Sequence, residues 1–141
     1  MGWFSTRERI FKPAKIRIAF LAIATAAFIV TEFGRYVYRP FVRRNAIQDF
    51  GLADSIGNLG GIIVQIFFLC AVLNSTKIQS YRWAGFLSAG YIVYEFVQPY
   101  LPKGVFDWKD IYATIIGLII SLIVLWFLWY KFPPENEIRN K

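Results

Sequence analysis

Histidine is missing from this chain, and cysteine and methionine occur once each. Without His, the commonest transition-metal ligand and the commonest general base are both unavailable. The lone cysteine, Cys70, lies inside an apolar run, so no intrachain disulfide can form and it reads as a small core residue. Acidic residues are scarce: nine Asp and Glu stand against sixteen Lys and Arg, a net charge of +7. No nucleophile–base pair is visible, and nothing in the sequence asks for a cofactor. Enzymatic chemistry is therefore the weakest of the function classes to argue.

What the chain has in abundance is hydrocarbon. Of its 141 residues 57% are hydrophobic, and the mean hydropathy is +0.44. About 20 apolar residues in a helix cross the hydrocarbon layer of a bilayer. Four runs meet or approach that length: 16–38, 54–73, 81–100 and 110–130. They account for most of the chain, so the expected fold is all-α: one transmembrane domain over 1–141, a four-helix bundle crossing the membrane four times. The positive charge then belongs against anionic headgroups, with membrane lipids as partners. No basic soluble face remains to carry nucleic acid.

Charge also orients the spans. Arg7, Arg9, Lys12, Lys15 and Arg17 precede the first, Lys77 and Arg82 lie between the second and third, and Lys131, Arg139 and Lys141 follow the fourth. They outnumber Arg35, Arg39, Arg43, Arg44, Lys103 and Lys109 on the other side, which predicts cytoplasmic termini. Tyr81, Trp83, Trp126, Trp129 and Tyr130 at one level, and Tyr36, Tyr38, Tyr100, Phe106 and Trp108 at the other, suit headgroup anchoring. The basic, then greasy, N-terminus is similar to a signal peptide. Its Ala-rich stretch 22–27 lies within the run rather than after it, which predicts an uncleaved helix. Segment 3–11, with its interspersed basic residues, is expected along the interface.

Inside the greasy runs one polar pattern occurs twice. Asp54, Asn58, Gly61 and Gln65 repeat as Asp110, Thr114, Gly117 and Ser121 with the same spacing, which draws a stripe down one helix face. Each stripe follows a Glu-Phe pair, Glu32-Phe33 or Glu95-Phe96, and a polar residue, Thr25 or Ser88, stands seven positions before each Glu. Aligning the pairs predicts two helical hairpins of parallel topology. A stripe of this length covers about 16 Å, half the hydrocarbon layer. Exposed to lipid its groups would be costly, so the stripes should face one another in a polar seam opening outward, with Gln98 one turn beyond Glu95. Glu32, Asp54, Glu95 and Asp110 could hold a cation there through oxygen ligands, and Arg43 and Arg44 could attract a phosphate headgroup.

An alternative account of the stripes needs no ligand. Asp54 and Asp107 would cap helix N-termini, and Asp110 would favour the dipole of a first turn. Gly57, Gly60, Gly61 and Gly117 would only admit close packing, with Asn58, Thr114 and Ser121 as interhelical glue. That account leaves the glutamates unexplained, since a helix C-terminus disfavours a carboxylate. Glu32 has Arg35 and Arg39 nearby, whereas Glu95 has no local cation before Lys103.

The second half resembles the VanZ-like family of small multi-spanning membrane proteins. The resemblance rests on Glu95-Phe-Val-Gln98, on Pro102-Lys-Gly-Val-Phe-Asp107-Trp-Lys-Asp110, and on Thr114 and Gly117. Glu95, Gln98, Asp107, Asp110 and Gly117 match the family pattern. The usual Arg is Lys103 or absent, and Thr114 stands where Asn is usual. In the first half Asp54 and Asn58 occupy familiar places, but the family's His is missing. The resemblance implies a multi-pass protein of the bacterial inner membrane and cell envelope. Some members are associated with low-level resistance to the glycopeptide teicoplanin. The candidate ligand residues of the seam as a whole are Glu32, Asp54, Asn58, Glu95, Gln98, Asp107, Asp110 and Thr114. The competing reading is an accessory subunit of a larger membrane complex, or a homodimer, docking through Gly85, Ala89 and Gly90. A transporter is disfavoured because no helix reads as interrupted.

Overall fold

A computed structural model describes residues 14–102 and 104–134. The expectations for 3–11, Lys103, Arg139 and Lys141 lie outside the described residues. The described chain is all-helical, with four long helices. Helix α1 spans Ala14–Phe33, passes through a π turn at Gly34–Tyr38 and continues as α2, Arg39–Arg44. Three more follow: α3 (Leu52–Val72), α4 (Lys77–Val97, with a 3₁₀ turn at Gln98–Tyr100) and α5 (Trp108–Lys131). Three helical stretches are long and apolar enough to cross a membrane: Lys15–Arg44, Leu52–Val72 and Trp108–Lys131. α4 is not among them.

Two boundaries differ from the sequence reading. The first helix does not end at residue 38 but runs to Arg44, and it is interrupted. Pro40 lacks an N–H and so breaks the hydrogen-bond ladder. The π turn just before it shifts the register, with the Arg39 N–H reaching the Gly34 carbonyl. Arg43 and Arg44 consequently sit on a helix rather than in a loop.

The helix ends explain themselves locally. α3 starts at Gly51, whose φ of 88° lies in the left-handed region where glycine is unstrained. The α3–α4 connection is a Schellman close: Asn74 is left-handed, Ser75 N–H reaches the Cys70 carbonyl, and Asn74 N–H reaches that of Ala71. Thr76 and Gln79 then form a capping box that starts α4. Arg17 donates to the Ala71 carbonyl at 3.0 Å, so a basic residue of α1 meets the negative end of α3.

α3 is the hub, packing against α1, α4 and α5, and α4 also packs against α5. Toward the chain termini the interior is apolar. Ile16, Phe20, Ile66, Phe67, Leu125 and Trp129 are buried together, with Phe20 ringed by Phe67 and Trp129 at 6.0 Å. Two glycines permit the close helix approach. A Cβ on Gly60 would collide with Thr31 of α1, and one on Gly117 would lie 2.7 Å from the Leu59 carbonyl of α3. Gly85 and Gly90 face open space.

The outer surface is greasy. Ile18, Phe28, Ile29 and Val30 of α1 point outward, as do Ile119, Ile123, Trp126 and Phe127 of α5. α4 reverses the usual pattern of a soluble helix: its buried face is Ser80, Ala84, Ser88 and Glu95, while Phe86, Val93, Tyr94 and Phe96 are exposed. Its modest hydropathy comes from Lys77, Gln79 and Arg82 in its first two turns as well as from the small polar residues turned inward.

Replacing Gly117 by Leu should cost about 1–3 kcal/mol, because the backbone it meets cannot yield. Gly85→Leu should be neutral. Unfolding midpoints of the two variants in mixed micelles measure the difference.

Candidate functional site

Away from the apolar interior, α3, α4 and α5 bring their polar residues together. Glu95 is the centre. It is 1% exposed, although it lies in the last turn of α4. Its Oε1 accepts from Asn58 Nδ2 of α3 and from Gln98 Nε2 one turn on, both at 3.1 Å. Its Oε2 has no hydrogen-bond partner, and no ion pair among the described residues involves Glu95. A buried carboxylate in this state is costly, since neither a cation nor a full set of donors offsets its lost hydration.

Asp110 and Asp107 are within Coulombic range of Glu95, and Asp54 is within range of Asp110. The acids thus form a graded row. Asp54 is the exposed end, with a side chain 48% accessible; Asp110 is half-buried; Glu95 is sealed. Ser55, 5% exposed, has its hydroxyl beside the Asp110 carboxylate, and Ser88, two turns below Glu95, has a hydroxyl without a partner.

The remaining expected site residues divide. Asp54 is held by Arg39 at 2.9 Å and by Arg43 at 2.7 Å. Arg43 therefore has a carboxylate partner already, while Arg44 is exposed beside it. Asp107 caps α5, its carboxylate accepting from Lys109 N–H at 2.9 Å. Thr114 is fully buried and donates to the Asp110 carbonyl, and Ser121 donates to that of Gly117. Those hydroxyl protons serve the helix backbone. Glu32 stands apart from the row, paired with Arg35 at 3.1 Å. Among the described residues no group of three or more Asp, Glu or Cys side chains is arranged to hold a metal ion, so the four-carboxylate cation cage is not formed.

Three contributors escaped the sequence reading. Asp49, not Asp54, caps α3, accepting from Gly51 N–H at 3.0 Å and Ala53 N–H at 2.7 Å. Its position just before the Gly51 turn was the available signal. Arg39 joins Arg43 on Asp54 because the helix continues past Pro40. Tyr91, one turn before Glu95, accepts from Gln65 Nε2 at 2.7 Å through its hydroxyl and rests over Gly61. Comparison with family models, with curated proteins and with solved structures returns no match to this chain.

Asn58→Leu should remove one of the two bonds on Glu95 and cost about 1–3 kcal/mol. Asp54→Asn loosens only exposed ion pairs and should cost about 1 kcal/mol or less. Denaturant titration of both purified variants tests the contrast.

Proposed function

We propose that this chain is a VanZ-like integral membrane protein of the bacterial cell envelope, whose polar cluster around Glu95 binds a polar or cationic group of a membrane-associated ligand. In this reading all four long helices span the bacterial inner membrane as two hairpins of parallel topology, with both termini cytoplasmic. The inward polar face of α4 supports a fourth span, because the face it would turn to lipid is apolar. The resemblance over 95–121 supports the family.

The observation that carries the reading is Glu95 itself. Simple interhelical glue would leave a neutral amide or hydroxyl here, with every lone pair met. Instead a carboxyl group is buried with one oxygen unmet and two more acids nearby, an arrangement that an incoming cationic or donor group would relieve. Asp107, Asp110, Asn58 and Gln98 complete the site, with Asp54 at its outer edge. Thr114 is buried one turn along from Asp110 with its hydroxyl on the helix backbone, and Glu32 remains with Arg35 outside the cluster. Arg43 and Arg44 face the headgroup level.

Glu95→Gln combined with Asp110→Asn should abolish the low-level teicoplanin resistance conferred on a susceptible bacterial host while leaving the amount of protein in the membrane unchanged. Undiminished resistance in the double variant contradicts the reading. A second reading, an accessory subunit, draws on the exposed face of Gly85, Ala89 and Gly90. Stoichiometric co-purification of a larger membrane protein that is lost with Gly85→Leu would favour it instead.

A further inference from the structure

A lateral groove between α3 and α4 leads toward Glu95. It holds about 480 Å³, with Asn58 and Gln65 on one side and Phe86, Gly90, Tyr91 and Tyr94 on the other. Asn58 and Gln65 are two turns apart, so the groove runs about 10 Å along the helices. It begins below the first turn of α3, and Phe86, Gly90 and Tyr94 of its lining are exposed, so in a bilayer with α4 as a span it borders hydrocarbon.

Its chemistry is one-sided. The Asn58 amide, which lines the groove, spends an N–H on Glu95, so its carbonyl oxygen remains an acceptor. Gln65 spends an N–H on the Tyr91 hydroxyl, so its carbonyl oxygen also remains an acceptor. Phe86, Tyr91 and Tyr94 supply ring faces, which attract cations. Gly90 lies one turn from both Phe86 and Tyr94, and a Cβ there would meet nothing within 4 Å, so the wall has a slot between two rings. No Lys or Arg lines the groove. Behind Asn58 stands Glu95, with its Oε2 unpartnered.

Each class of occupant meets these features differently. An anion would meet two carbonyl oxygens and a carboxylate. A plain hydrocarbon would leave the carbonyl oxygens unpaired. An organic ammonium with a hydrocarbon tail suits all of them: its charge meets the carbonyl acceptors and the rings, with the Glu95 carboxyl behind Asn58, and its tail lies in the apolar part of the slot. We infer that the α3–α4 groove is the entry and binding site for an amphiphilic organic ammonium, reached from within the bilayer, with Asn58 between the bound head and Glu95. This inference rests on the reading of the Glu95 cluster as the ligand site and names its ligand class and route.

Equilibrium dialysis of the full chain in maltoside micelles against radiolabelled dodecyltrimethylammonium, with empty micelles subtracted, tests it. Saturable binding is expected, displaced by unlabelled dodecylammonium and not by dodecanol. Glu95→Gln, which keeps the shape, should weaken binding about tenfold, the order expected of a desolvated charge contact. Gly90→Leu, at a position where a Cβ meets nothing within 4 Å, should abolish it by filling the slot, with thermal unfolding confirming that both variants are folded. Absence of saturable binding, equal displacement by dodecanol, or unchanged affinity in either variant overturns the inference. If the ammonium does not bind while the Glu95/Asp110 double variant still loses resistance, the ligand class and route fail and the functional reading stands. If the ammonium binds as described while the double variant keeps its resistance, the functional reading fails instead.

Discussion

A carboxylate withdrawn from water must be met by donors or a cation, or it destabilises whatever encloses it, and Glu95 is the point where this chain meets that demand. Asn58 from α3 and Gln98 from the turn after α4 each bring one donor. Neither bond forms unless α3 and α4 are in register and the chain turns at Gln98–Tyr100. The register in turn depends on the tight Schellman and capping-box connection at 73–79 and on the close approach of α3 and α5 at Gly117. The polar interior of α4, Ser80, Ala84, Ser88 and Glu95, is thus a consequence of where Glu95 must sit, and the apolar residues of that helix are turned outward.

The two ends of the molecule obey different physics. Toward the termini, Phe20, Phe67 and Trp129 fill the interior with rings, and Arg17 on the Ala71 carbonyl closes a helix end. At the other end, acids accumulate from Asp54 to Glu95, and among the described residues it is the outermost, Asp54, that makes ion pairs with Arg39 and Arg43. Arg39 and Arg43 neutralise Asp54, whereas Asp110 and Glu95 lie deeper, behind it. The row is therefore stabilised at its rim and left electron-rich at its buried end.

Much of this was legible in the sequence, for identifiable reasons. Apolar runs of lipid length mark the helices because hydrocarbon burial scales with length, and the four-three-four polar spacing picked out Asn58, which reaches Glu95, although Gln65 turns to Tyr91 and Thr114 and Ser121 bond their own helix. Glu95 stood out because no nearby residue could pair with it. The equivalence of the two halves is where the reading stopped. Glu32 and Glu95 occupy matching places in the sequence, yet Glu32 takes Arg35 three residues on and stays near the surface, while Glu95, with no such neighbour, is drawn inward to amides. The π turn was hidden because a proline after Tyr38 normally predicts a helix end, and only the shifted backbone register shows how the helix passes it. Asp49 was hidden because Asp54 offered a more obvious cap.

The central claim is that Glu95 is a sealed carboxyl group held by Asn58 and Gln98 with no cation from the protein. Solid-state NMR of the bilayer-reconstituted chain, carrying labelled Glu95 carboxyl carbon and labelled side-chain nitrogens, reads this directly. A dipolar contact from Glu95 to the amide nitrogens of Asn58 and Gln98, consistent with N···O separations of 3.1 Å, is the predicted result. A contact from Glu95 to a lysine or arginine nitrogen, or none to either amide, would contradict it.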